Sequence, residues 1–289
     1  MVSFRLAADP AAVSGAAAPS GRPAGRWGGR RLLLALAAVL LLAAGAVTYL
    51  AWPRDWKMVW HDEFDGSAVS AQQWNVRNDT YLPYEHSILT DDSGNVRVAD
   101  GRLTLQAQRE QRSIGRITRQ YTSGYLDTRG KHSWRYARFE MRAKLPTAEG
   151  MWPAFWLRAD KGLGEIDILE AIGGLPRMAQ QAVIRSTTDG REKEVNRYDL
   201  PTGTIAGWHV YAADVAPDAI TFSVDGKRVF RVTADAVPWL RATFDEPLNI
   251  RLNLQVGGSL ADYYQHPLTG RTTFPAAYQV DWVRVYQRR

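Results

Sequence analysis

The 289-residue chain contains no cysteine, which excludes disulfide frameworks, thiolate metal sites and cysteine nucleophiles. Its formal charge is +6, but Arg5, Arg22, Arg26, Arg30 and Arg31 oppose only Asp9 within the first 31 residues. The remainder is therefore close to neutral, and a nucleic-acid surface is not expected. Hydrophobic residues make up 45% of the chain, enough for a sizeable core, and 11 Trp with 12 Tyr offer flat faces suited to sugar rings.

Residues 1–31, rich in Ala, Gly, Pro and Arg, read as a disordered basic tail on the cytoplasmic side. Residues 32–52, Leu32 through Trp52, carry no charged side chain. As a helix rising about 1.5 Å per residue, they span roughly 30 Å, the thickness of a bilayer hydrocarbon core. Arg30 and Arg31 abut the start of this stretch, so the positive-inside rule places the following domain outside the cytoplasm. A cleaved signal segment is the competing reading. Ala44-Gly45-Ala46 fits its cleavage pattern, although the apolar stretch exceeds the usual signal core. The domain at 56–289 is expected to be membrane-anchored outside the cytoplasm or, alternatively, secreted.

Beyond Trp56 the pattern changes to short alternating runs. Val96 to Val98 and Leu103 to Leu105 flank Asp100-Gly101, and Thr221 to Val224 and Arg228 to Val232 flank Asp225-Gly226, two hairpin signals. Tyr136 to Lys144 alternates, as does Val280 to Tyr286. No long helical periodicity and no internal repeat interrupts them. The expectation is an all-β domain, an antiparallel sandwich or jelly roll, filling residues 56–289.

The run Gly164-Glu165-Ile166-Asp167-Ile168-Leu169-Glu170 holds three carboxylates among apolar spacers. Glycosidic bonds are cleaved by two carboxyl groups, one donating a proton and one attacking or activating water. In a regular strand Glu165 and Asp167 share a face, but Glu170 points to the other. One extra residue in a bulge around Ile168-Leu169 returns Glu170 to the shared face and leaves the apolar residues in the core. Two glutamates can then approach the roughly 5 Å of a retaining pair, and their mutual repulsion raises at least one pKa. An acidic edge strand or a calcium loop is the alternative, but the hydrophobic spacers and the missing oxygen-ligand pattern speak against both. The five histidines, His61, His86, His132, His209 and His266, lack paired metal-ligand spacing.

This segment resembles the active-site signature of glycoside hydrolase family 16, in the bulged form of its laminarinase-like members (the endo-β-1,3(4)-glucanase group). Further stretches share the resemblance: Val59 to Gly66, Tyr121 to Gly124, Arg138 to Pro146, Gly150 to Leu157, Asn253 to Gly258 and Val280 to Tyr286. It covers roughly residues 57 to 287. The resemblance implies a concanavalin-like β-jelly roll and a retaining double displacement. Glu165 would be the nucleophile, Glu170 the general acid/base and Asp167 the assisting residue. Trp152 and Trp156 would contact sugar rings, with core packing as the alternative. His209 matches a position that can approach the family cleft. The strand after the catalytic one often carries a cleft His, but here reads Val183-Ile184-Arg185-Ser186, making Arg185 a candidate for substrate contact or for a salt bridge.

Gln255 stands where a small residue is common. These departures hint at a decorated or anionic polysaccharide. No cofactor is required for the chemistry. The resemblance leaves open a structural Ca2+ held by the Asp281 side chain with backbone oxygens near Glu63 and Gly101. The expected activity is endo-hydrolysis of β-1,3 or mixed-linked β-glucan, or of a related surface polysaccharide, by a monomer whose other partner is the membrane. Transglycosylation and non-catalytic glucan binding are the alternatives, and the presence of both glutamates favours an enzyme.

Overall fold

A computed structural model describes residues 56–289. The proposed tail and the apolar segment 32–52 lie outside the described residues, among which no helix is long and apolar enough to cross a membrane. The chain begins with β1 (Trp56–Asp62), β2 (Asn75–Val76), β3 (Ser87–Leu89), β4 (Val96–Ala99) and β5 (Arg102–Ala107). Four short strands follow: β6 (Arg112–Ile114), β7 (Ile117–Arg119), β8 (Tyr121–Ser123) and β9 (Tyr125–Asp127). The long strands β10 (Arg138–Lys144), β11 (Met151–Ala159), β12 (Gly164–Glu170), β13 (Met178–Thr187) and β14 (Gly190–Asp199) come next. The remainder is β15 (His209–Val215), β16 (Ala219–Val224), β17 (Lys227–Thr233), helix α1 (Leu240–Phe244), β18 (Leu248–Val256), helix α2 (Ser259–Tyr263) and β19 (Ala276–Arg288).

Local turn chemistry sets two of the hairpins. Asp100 and Gly101 join β4 to β5, and Asp225 and Gly226 join β16 to β17; all four residues have positive φ between 49° and 75°. Two consecutive left-handed residues give the turn whose twist matches the flanking strands, which is why Asp-Gly is favoured there.

Two sheets result. One is ordered β17-β16-β15-β10-β19-β5-β4, with β1 also paired to β19; the other is ordered β14-β13-β12-β11-β18-β9-β2. One hydrophobic cluster is built from both. The first sheet contributes Leu103, Leu105, Phe139, Met141, Phe222 and Val285, and the second contributes Phe155, Leu157, Ile166, Leu252 and Leu254. Burying a side chain of this size stabilises the fold by about 1.5–3 kcal/mol each. The alternation of β19 is broken: Ala143 pairs with Val280 but Arg142 with Trp282, so Asp281 is an extra residue there. This bulge keeps both Val280 and Val283 in the core.

Candidate active site

The outer face of the second sheet forms an open groove of about 800 Å³. Strand alternation decides what reaches it. On β11, Trp152, Ala154, Trp156 and Arg158 face the groove, while Phe155 and Leu157 enter the core. On β18, Arg251, Asn253 and Gln255 face outward between the core residues Ile250, Leu252 and Leu254.

The central strand β12 departs from alternation at one place. Asp167 pairs with Trp156 and Leu169 with Phe155 across β11, leaving Ile168 unmatched. On the other side Asp167 pairs with Ala182 and Glu170 with Gln180, so three steps along β12 match two along β13. The bulge turns Glu165, Asp167 and Glu170 into one groove while Ile166, Ile168 and Leu169 remain in the core.

Glu170 accepts a hydrogen bond from Trp152 Nε1 at 3.0 Å and another from Gln180 Nε2 at 2.9 Å. Tyr264 donates its hydroxyl to Gln180 Oε1 at 2.6 Å, which fixes the amide. Burial pushes the Glu170 carboxyl up to about 7 despite the Gln180 hydrogen bond, and the nearby charge of Glu165 adds to the rise. Asp167 is held well above the usual carboxylate range, chiefly by burial and then by repulsion from Glu170 and Glu165. Glu165 lies between two guanidiniums. Arg191 Nη2 on β14 donates to its Oε1 at 2.6 Å, and Arg158 on β11 pairs with its Oε2. Arg158 is itself fixed by the Gly162 carbonyl at 2.7 Å. The site thus sets a carboxylate paired with cations beside a carboxyl group that keeps its proton near neutral pH.

Tyr84 and Tyr263 line the groove, and Tyr263 is 75% exposed. Gln255 Nε2 is buried without a hydrogen-bond partner among the described residues, on a side chain that also lines the groove. Trp156 lines the groove too, with Nε1 bonded to Asn253 Oδ1 at 2.7 Å. Behind the wall, Gly257 and Gly258 have φ of +68° and +105°, and a Cβ on Gly258 would lie 2.9 Å from the Tyr84 carbonyl oxygen.

Two candidate substrate contacts are corrected. His209 stands on β15, in the sheet that does not carry the groove; its Nδ1 meets Asp225 Oδ2 at 2.7 Å and its Nε2 meets the Thr204 carbonyl oxygen at 3.0 Å. It braces the β16–β17 turn. Arg185 has the wrong parity on β13, whose groove residues are Gln180, Ala182 and Ile184. It pairs with Glu192 on β14 and lies over the Trp239 ring. The side chain expected to hold a structural calcium is engaged in an ion pair in this structure. The Asp281 carboxylate pairs with Arg142, the Glu63 carboxylate is taken bidentately by Arg284 at 2.8 Å, and no group of three acidic or histidine side chains among the described residues is arranged to hold a metal ion. Gly101 serves the β4–β5 turn.

Arg158, Arg191, Gln180, Tyr264, Tyr84 and Tyr263 were not picked out by sequence reasoning. They lie on other strands, on loops or on helix α2 and carry no local motif; only the register across β11 to β14 brings the first three to the acids.

The Glycosyl hydrolases family 16 profile matches residues 84–284. The chain belongs to this family. Among curated relatives, the glucan endo-1,3-beta-glucosidase A1 of Niallia circulans is 34% identical, over 80% of this chain and 38% of that protein. The beta-glucanase of Rhodothermus marinus is 32% identical, over 80% of this chain and 85% of that protein. The endo-beta-1,3-glucanase structure from Pyrococcus furiosus superposes with a TM-score of 0.71 at 32% identity, covering 81% of this chain and 95% of that one. Family 16 membership agrees with the two-sheet all-β architecture and makes the chain a glycoside hydrolase.

Proposed function

We propose that the chain is a retaining endo-β-glycanase that hydrolyses β-1,3 or mixed-linked β-glucan by double displacement. The observation carrying this reading is the β12 bulge, which sets Glu165 and Glu170 on one groove face in contrasting surroundings. Glu165, paired with Arg158 and Arg191, attacks the anomeric carbon. Glu170, with its pKa near 7, protonates the departing glycosidic oxygen. The glycosyl-enzyme is then hydrolysed by a water from which ionised Glu170 takes a proton, so the β configuration is retained. Asp167, whose carboxyl is held well above the usual range by its burial and by the two glutamates, can share a proton with them and steady the charge on Glu165.

The open groove suits internal cleavage of a long chain, and the names of the Niallia and Rhodothermus relatives support a β-glucan substrate. Following the product anomer by NMR at early times tests the mechanism. A β-linked glucan should release the β-anomer first, and an initial α-anomer would overturn retention. Product-length profiles on purified laminarin-type and mixed-linked glucans separate endo-hydrolysis from transfer to a second sugar. As a further part of the same proposal, residues 32–52 anchor the domain on the outer side of a membrane, as the flanking arginines indicate.

A further inference from the structure

A second recess of about 520 Å³ adjoins Glu165, and its wall carries Arg77, Arg129, Arg158, Arg191 and Arg251. The only carboxylates on that wall are Glu165 and Asp160, with Asp127 behind it holding Arg77 at 3.0 Å. Because the chain after residue 31 is close to neutral, this concentration does not reflect general basicity.

The guanidiniums are pre-organised. Arg251 lies over the Trp156 ring at 4.8 Å and bonds Asn249 Oδ1 at 3.0 Å and the Tyr125 hydroxyl at 3.3 Å. Arg77 lies over the Tyr125 ring at 4.8 Å. Neither Arg251 nor Arg129 has a carboxylate partner among the described residues.

Neutral glucose rings need aromatic faces and hydrogen-bond partners, and gain little from clustered positive charge. Arg158 and Arg191 share Glu165, and Arg77 is held by Asp127. Arg129 and Arg251 add positive charge with no carboxylate partner among the described residues, a repulsion that an anion in the recess would offset. Arginine's planar fork is suited to carboxylate and sulfate oxygens. Arg251 also covers one face of Trp156, so this end of the groove presents cation where a bare tryptophan would present a sugar platform.

We infer that the recess lined by Arg77, Arg129 and Arg251 binds an anionic group on the glycan, so the preferred substrate carries a carboxylate or sulfate on a sugar held at the Glu165 end of the groove. This rests on the proposed endo-glycanase activity and narrows its substrate class.

The full-length Glu170→Gln variant in detergent is titrated calorimetrically with β-1,3-glucan oligosaccharides that are neutral, carboxymethylated or sulfated. Binding of an anionic series should be roughly tenfold tighter than neutral binding, and the advantage should shrink with added salt. The two anionic arms tell a carboxylate site from a sulfate site. Adding Arg129→Gln and Arg251→Gln should bring the anionic-to-neutral ratio close to one, and Arg129→Lys with Arg251→Lys should restore part of it. Equal binding of all three series, or a preference that survives the double glutamine change, overturns the inference. Hydrolysis of the same polymers by the unaltered chain is scored in parallel. Cleavage of neutral glucan without anionic preference leaves the proposed activity standing and removes only the recess, whereas cleavage of none of them counts against the activity itself.

Discussion

Glu170 shows how one side chain is tuned by its surroundings. Its carboxyl receives donors from Trp152 and Gln180, yet burial still lifts it to about 7, so the proton that the proposed mechanism asks it to deliver is present up to neutral pH. The kcat/KM profile should therefore fall as pH rises through about 7. A plateau extending beyond pH 9 would remove Glu170 as the acid. Glu170→Gln should lower kcat on polymeric substrate by roughly 10²–10⁴-fold, the usual contribution of general acid–base catalysis. Glu165→Gln should abolish the glycosyl-enzyme and also leave Arg158 and Arg191 facing each other without their shared anion. Glu85 tests the same physics without the chemistry. It is buried next to the groove residue Tyr84, its Oε2 has no hydrogen-bond partner among the described residues, and burial raises its pKa to about 8. In the unfolded chain it ionises near 4.5, so the folded state holds its proton more tightly and loses stability as pH climbs from about 4.5 to 8. Glu85→Gln should therefore stabilise the protein at pH 9 by a few kcal/mol and change little at pH 4, since each tenfold difference in proton affinity between the two states is worth about 1.4 kcal/mol. Urea titrations at the two pH values measure the difference; equal effects would show that Glu85 does not titrate in this range.

At the scale of a strand, the bulge in β12 sets the three acids on one face. Deleting Ile168 would remove the extra residue and restore plain alternation, with Glu165, Asp167 and Glu170 still on the groove face and Leu169 alone between Asp167 and Glu170 on the core side. The expected outcome is retained turnover together with destabilisation of about 2–5 kcal/mol for the core side chain that is lost. Turnover and thermal melting check both halves, and loss of turnover in a folded variant would mean that the bulge sets more than the shared face of the acids. A milder probe lies at the end of β18. Gly258→Ala places a Cβ 2.9 Å from the Tyr84 carbonyl oxygen at a φ of +105°, a strain of about 1–3 kcal/mol. Because Trp152 lies 3.4 Å from the same point, the change should raise KM as well as lower Tm. A fall in Tm with KM unchanged would separate this glycine from the groove wall.

For the whole molecule, the proposed anchor predicts that the full-length chain stays with the membrane fraction through an alkaline wash and is released by detergent. A chain recovered in the soluble fraction with its N-terminus just after Ala46 would establish cleavage instead. Much of the folded domain is legible in the sequence because its rules are local. Asp-Gly pairs require left-handed φ, so two hairpins can be read directly, and the odd spacing of Glu165 and Glu170 demands a bulge if both are to share a face. Side-chain parity is less transferable. Arg185 reads as a groove candidate, although Gln180, Ala182 and Ile184 hold the groove positions of its strand, and His209 belongs to the opposite sheet. The run Val280 to Tyr286 reads as simple alternation, but Asp281 is an extra residue whose carboxylate meets Arg142. The sequence by itself determined the run of three acids with its bulge, the strand-rich class and the tight turns, since each follows from neighbours a few residues apart. Tertiary structure alone decided that Arg158 and Arg191 bracket Glu165, that Tyr264 acts on Glu170 through Gln180, and that arginines from five separate segments converge on one recess. Those contacts depend on the register between strands distant in the chain, and that register is set by packing of the common core.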